Sequence, residues 1–134
     1  MKFYVDENLM PDMAAPLTRI YRHRFRVAGQ EGLGGIVDIP LFGDLAMRDF
    51  DAIITKDKQQ LEDSDERTAL RKSGLNWIGV PDLAARGTAQ LATQLAVVAA
   101  GLHWVLDDWR TVPTIYRLVA PRTVRHWIPS IEAV

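Results

Sequence analysis

The sequence predicts an α/β fold built on a mainly parallel sheet. Uninterrupted apolar runs at Phe3-Tyr4-Val5, Ala52-Ile53-Ile54 and Trp77-Ile78 suit strands covered on both faces. Stretches with helical periodicity lie between those runs, which gives the crossover connections that parallel strands require. Two of the runs end abruptly in polar residues that include an aspartate, at Asp6-Glu7-Asn8 and at Thr55-Lys56-Asp57.

Pro11 stands where a first helical turn begins, so Asp6 to Asn8 fall in a strand-to-helix turn at the carboxyl edge of the sheet. Asx side chains also shape such turns unaided, and at this point both readings stay open. Met13, Leu17, Ile20 and Tyr21 recur at helical spacing from Pro11 to about Arg22. Phe25 to Ala28 follows as a short edge or half-buried strand. Gly29 to Gly35 has four glycines in seven residues, but neither G-x-G-x-x-G nor G-x-x-x-x-G-K-[ST] fits, so it reads as a flexible loop.

Asp38 precedes an apolar pattern through Leu41, Phe42 and Leu45 and is placed to be the N-cap of a second helix. The same position puts a carboxylate at the sheet rim, and the two roles are compatible. Asp51 to Asp57 is the third strand with its polar end. If the first and third strands are parallel, Asp6 and Asp57 emerge on one edge. Gln59 to Glu66 is polar and acidic and predicts a solvated loop running into a helix closed by Gly74. Asn76 to Val80 is a fourth strand stopped by Pro81.

From about Thr88, the stripe Leu91, Leu95, Val98, Leu102, Val105 predicts one long amphipathic helix. Core packing is its default explanation. Trp104, Trp109 and Trp127 add aromatic surface, which together with the stripe predicts association through the C-terminal half, as a homodimer or with a partner peptide. Ile115 to Val119 and Thr123 to Trp127 look strand-like.

A length of 134 residues with 48% hydrophobic content matches one domain with a proper core. Zero cysteines exclude disulfides and thiolate metal sites. No signal-peptide layout opens the chain, and the apolar stretch Leu91 to Leu106 falls short of a membrane span, so a soluble cytoplasmic protein without a membrane partner is expected. A formal net charge of −1 provides no global field for nucleic acid. Local basic clusters at Arg22-His23-Arg24 with Arg26, and at Arg117, Arg122 and Arg125, are the candidates for phosphate contact.

Three aspartates at a strand rim repel one another unless a counter-charge is present. Mg²⁺ or Mn²⁺ suits such oxygen ligands and retains waters able to attack phosphorus, which points to phosphodiester hydrolysis. Lys56 is either a phosphate contact or a solvated lysine. An aspartyl nucleophile at Asp6 lacks the usual Asp-x-Asp spacing, and His23, His103 and His126 have no ligand spacing.

Phe3-Tyr4-Val5-Asp6-Glu7-Asn8-Leu9, Asp38 at a helix start and Ile53-Ile54-Thr55-Lys56-Asp57 together resemble the PIN-like nucleases, close to the toxin halves of VapBC-type toxin-antitoxin pairs. The resemblance covers about residues 2 to 80 and leaves a long helix and tail from about residue 86 to 134. It implies a three-layer α/β/α sandwich, an RNA substrate, a small antitoxin partner, and catalytic, metal-binding Asp6, Asp38 and Asp57. Asn8, Thr55, Lys56 and Arg24 are the expected substrate contacts. Related sequences carry further acids where this chain has Ile39, Pro40 and Gln59. Glu7 and Asp44 are the candidates to make up that deficit as metal ligands. A degenerate, non-cleaving binding module is the alternative.

Overall fold

The computed structural model of the chain describes residues 1–120 and 130–132. The strands β1 (Lys2–Val5), β2 (Arg24–Val27), β3 (Ala52–Thr55), β4 (Asn76–Gly79) and β5 (Ile115–Arg117) form one sheet. All neighbours are parallel, in the order β2-β1-β3-β4-β5. A 3₁₀ turn, Pro11–Met13, leads into α1 (Ala14–Tyr21). The remaining helices are α2 (Ala28–Glu31), α3 (Asp38–Met47), α4 (Gln59–Glu62), α5 (Ser64–Ser73) and α6 (Thr88–Asp107).

Successive strand residues face opposite sides of a sheet, and here both sides are covered. Phe3, Val5, Ile54 and Ile78 bury against Leu17 of α1 and Val98, Leu102 and Val105 of α6. Tyr4, Ile53 and Trp77 bury against Leu41, Phe42 and Leu45 of α3 and against Leu61 and Leu70. The result is the expected three-layer α/β/α sandwich. It explains why β1, β3 and β4 read as continuous apolar runs. Strand order reverses direction between β1 and β3, so the crevice of this sheet opens at the carboxyl ends of those two strands.

Several local expectations are corrected. Gly29–Glu31 belongs to a turn of helix, α2, and only the rest of the glycine-rich stretch is loop. Asp38 is the first helical residue of α3 and Val37 is the N-cap, because the Asp38 side chain accepts its hydrogen bond from Gln60 and not from its own helix. The first part of the acidic stretch, Gln59–Glu62, forms the helix α4 instead of a solvated loop before the expected helix α5, and Gln60 within it is fully buried. The segment Thr123 to Trp127, with Arg122 just before it, lies outside the described residues.

At 20 residues, α6 is long and apolar enough to cross a membrane by length and composition, contrary to the shorter span read from the sequence. In this fold it covers the sheet. Gln94 is buried in α6 and its Oε1 accepts from the Met10 backbone N–H at 2.9 Å, and the Tyr21 hydroxyl donates to the Ala99 carbonyl. These two bonds tie α6 to the turn that follows Asp6-Glu7-Asn8 and to α1.

Candidate active site

Asp6 continues the β1 ladder by one bond, its N–H reaching the Ile54 carbonyl at 2.9 Å, and then leaves the sheet. Its carboxylate is held from three directions. The Glu7 N–H donates to Oδ1 at 2.8 Å, while the Thr55 hydroxyl, at 2.6 Å, and the Asn8 amide, at 3.1 Å, donate to Oδ2. Asn8 Oδ1 accepts from the Lys56 N–H at 3.2 Å, and Thr55 Oγ1 accepts from the Asp57 N–H at 3.0 Å. The turns after β1 and β3 are thereby locked to each other. Asp57 shapes its own turn, accepting from the Gln59 N–H at 2.9 Å.

Asp6, Asn8 and Asp57 open onto a cleft of about 340 Å³. Asp6, Glu7, Asn8, Asp38, Asp57 and Glu66 are among its lining residues, so it gathers five carboxylates. Asp38 enters from the first turn of α3 and Glu66 from the first turn of α5, and the partial positive charge of both helix starts offsets some of the repulsion. The Glu7 carboxylate accepts from the Gly35 N–H at 3.0 Å, which gives the glycine-rich loop a role in anchoring a cleft wall. Gly35 has φ +74°, a left-handed conformation natural to glycine.

The electrostatics follow from this crowding. Burial raises the Asp6 pKa; the Thr55 and Glu7 hydrogen bonds oppose the rise, and the charges of Asp38 and Glu7 add to it. Asp38 is likewise pushed up, first by burial and then by Asp57 and Glu7, against hydrogen bonds with Gln60 and Glu66. Burial and the charges of Asp38, Asp63 and Asp57 raise Glu66. Burial, then Asp6 and Glu7, push the Tyr4 phenol up as well.

The other candidates fall elsewhere. Thr55 is buried behind Asp6 with its hydroxyl fully engaged, and it does not line the cleft. Lys56 is half-buried and also absent from the lining, its backbone N–H serving Asn8. Arg24 pairs with Lys2 at the amino end of the sheet, about 13 Å along the strands from Asp6 at ~3.3 Å per residue. Asp44 does not line the cleft, because six residues along a helix turn it well away from Asp38 and about 9 Å along the axis. Arg26 is committed to Glu31 at 2.8 Å.

Glu66 is the acid that the sequence reading missed. Asp63 caps α5, accepting from the Asp65 and Glu66 N–H groups at 2.9 Å. That places Glu66 third in the helix, where a glutamate ordinarily reaches back to the cap backbone N–H. Here that N–H already donates to the Gln59 carbonyl at 2.9 Å, so the Glu66 side chain is released toward Asp38. The spacing Asp63-x-x-Glu66 was legible as a capping pattern, but not its diversion.

A comparison with protein families matches residues 1–80 to the family described as PIN like domain. The chain belongs to the PIN-like domain family. No curated protein and no solved structure matches it. PIN-like domains are generally nuclease-like, commonly bind nucleic acid and generally use divalent metals. The donors of this PIN-like cleft are all hard carboxylate oxygens, as such a cation requires. Glu66 Oε2 is buried with no N–H or O–H donor, its carboxyl lying beside that of Asp38, and burial together with crowding raises three of the acids. Added positive charge would relieve both, so the residues fit a hard divalent ion. Among the described residues no three Asp, Glu or His side chains converge on one ion position, each cleft acid except Glu66 being turned to its own donor.

Proposed function

We propose that this PIN-like domain is a Mg²⁺- or Mn²⁺-dependent endoribonuclease, acting as the toxin of a VapBC-type toxin-antitoxin pair. The observation that carries this reading is the cleft itself: five carboxylates at the switch point of a parallel sheet, with one buried carboxylate oxygen given no N–H or O–H donor. Asp6, Asp38 and Asp57 would hold the cation, with Glu7 and Glu66 as further donors. The bound ion would supply positive charge to the phosphate oxygens as the phosphodiester bond is displaced by water.

The chain's own contribution is positioning and proton handling. Thr55 and Asn8 hold the Asp6 carboxylate in one orientation, which limits its reorganisation as charge develops. A cleft carboxylate outside the cation's ligand set would take the proton released by the attacking water. The proposed antitoxin would dock away from the cleft, in a groove of about 430 Å³ between α6 and β5 that is lined in part by Trp104 and Val119.

The test is incubation of the purified protein with single-stranded and structured RNA in Mg²⁺ or Mn²⁺, with chelator as control. Cleavage is expected in metal and lost in chelator. Asp6→Asn and Asp57→Asn should lower the rate by roughly 10²–10³-fold, the scale for removing a preorganised electrostatic group. No cleavage of any RNA in either metal would leave the non-cleaving binding module as the better reading. Cleavage that persists in chelator would remove the metal from the mechanism.

A further inference from the structure

We propose that Gln60 is a positioning residue that sets the orientation of the Asp38 carboxylate, with the Trp77 indole fixing which end of its amide faces the acid. The inference rests on the cation-binding reading of the cleft. Gln60 is fully buried in the four-residue helix α4, where a leucine would satisfy the apolar surroundings without immobilising a polar side chain. Its two polar atoms are both used. The Trp77 Nε1–H donates to Gln60 Oε1 at 3.0 Å, and Gln60 Nε2 donates to Asp38 Oδ1 at 2.7 Å.

The polarity of this chain of bonds is forced from both ends. An indole N–H can only donate and an ionised carboxylate can only accept. A reversed amide would set oxygen against oxygen and N–H against N–H, losing both bonds. Trp77 is itself fixed, since its ring lies over Gly79, where a Cβ would come within 2.2 Å of a ring carbon. A rigid line therefore runs from β4 through Trp77 and Gln60 to Asp38. It holds Oδ1 and leaves Oδ2 for the cleft. Outer partners of this kind orient carboxylates that bind cations, and their loss commonly weakens binding by about 10–100-fold.

The experiment is a Mg²⁺ titration of the full chain followed by ¹H–¹⁵N spectra, with the Trp77 indole resonance assigned by its absence in Trp77→Phe. In wild type, the Trp77 indole signal should move with the same dissociation constant as the cleft amides of Glu7 and Gln59. Gln60→Met, close in length and without polar groups, should bind Mg²⁺ about 10–100-fold more weakly. If that variant fails to fold, the wild-type indole shift decides the matter alone. A stationary indole signal beside moving cleft amides, or wild-type affinity in Gln60→Met, overturns the positioning role and leaves the cation site standing. Cleft amides that do not respond to Mg²⁺ at all overturn both.

Discussion

Asp6 and Asp38 carry the same side chain into the same cleft, yet their hydrogen bonds assign them opposite responses to neutralisation. Repulsion alone ranks Asp→Asn as stabilising at either position in the metal-free protein. Asp6, however, accepts three hydrogen bonds, two of them on Oδ2. An asparagine there sets an NH₂ against donors, so Asp6→Asn should destabilise by about 1–3 kcal/mol. Asp38 accepts from Gln60, and its carboxyl lies within hydrogen-bond reach of that of Glu66, whose Oε2 has no N–H donor. Asp38→Asn keeps the Gln60 bond and offers its new NH₂ to that oxygen, so the metal-free protein should gain about 1 kcal/mol. Acidity supplies a second check. Asp38 and Glu66 have native pKa values above their ordinary 3.8 and 4.5, so the native state binds more protons than the unfolded one across that interval. Their contribution to stability is present below those ordinary values and is lost as pH rises through the raised ones. Thermal unfolding against pH should show a decline over that window in wild type that is shallower in Asp38→Asn. Identical profiles would mean that the Asp38 pKa is not raised in the native state and that Asp38 does not raise that of Glu66. The three aspartates were legible in the sequence because each sits where a strand or helix boundary was visible. Glu66 and Gln60 were not, because their polar surroundings gave no sign that one side chain would be buried and the other turned inward.

The same contrast holds for elements. β1, β3 and β4 were legible because burial on both faces leaves a continuous apolar signature, and α6 because its stripe spans almost the whole helix. α2 and α4 are only four residues each, too short for any periodicity to register. The stripe on α6 also settles its own question in part: Val98, Leu102 and Val105 are core residues, joined by Val97, while Leu91 and Leu95 are only partly buried against that core. The family match ends at residue 80, but the core on the α1 side of the sheet does not. Val97, Val98, Leu102, Val105 and Leu118 all come from beyond it. Burying each such side chain contributes about 1.5–3 kcal/mol, so together they rival the whole 5–15 kcal/mol stability of a domain. A chain ending at Gly87 should therefore fail to fold, with no cooperative thermal transition by circular dichroism. A truncated chain that melts cooperatively near the wild-type temperature would show α6 to be an appendage.

At the scale of the whole molecule, the aromatic residues of the C-terminal half divide between interior and surface. Trp109 stacks on Tyr116 at 6.2 Å and meets Phe3 edge-on at 5.8 Å, so it needs no second chain. Trp127 lies outside the described residues. Trp104 is different: it is 73% exposed, and with Val119, 83% exposed, it lines the groove between α6 and β5. β5 is also an edge of the sheet among the described residues, with its outer backbone groups open to a further strand. A large aromatic beside an open edge suits association better than solvent, because tryptophan anchors dominate interface energies. Light scattering over a range of concentrations should detect a dimer, or a partner should co-purify at this face. Trp104→Glu should then weaken the assembly by about 2 kcal/mol or more, roughly thirtyfold in Kd, without lowering the melting temperature of the monomer, since the side chain contributes little to its core. A strictly monomeric wild type with no bound partner, or a variant that associates as tightly as wild type, would leave Trp104 as an ordinary exposed residue. In that case the aromatic weight of this half would belong to the fold alone.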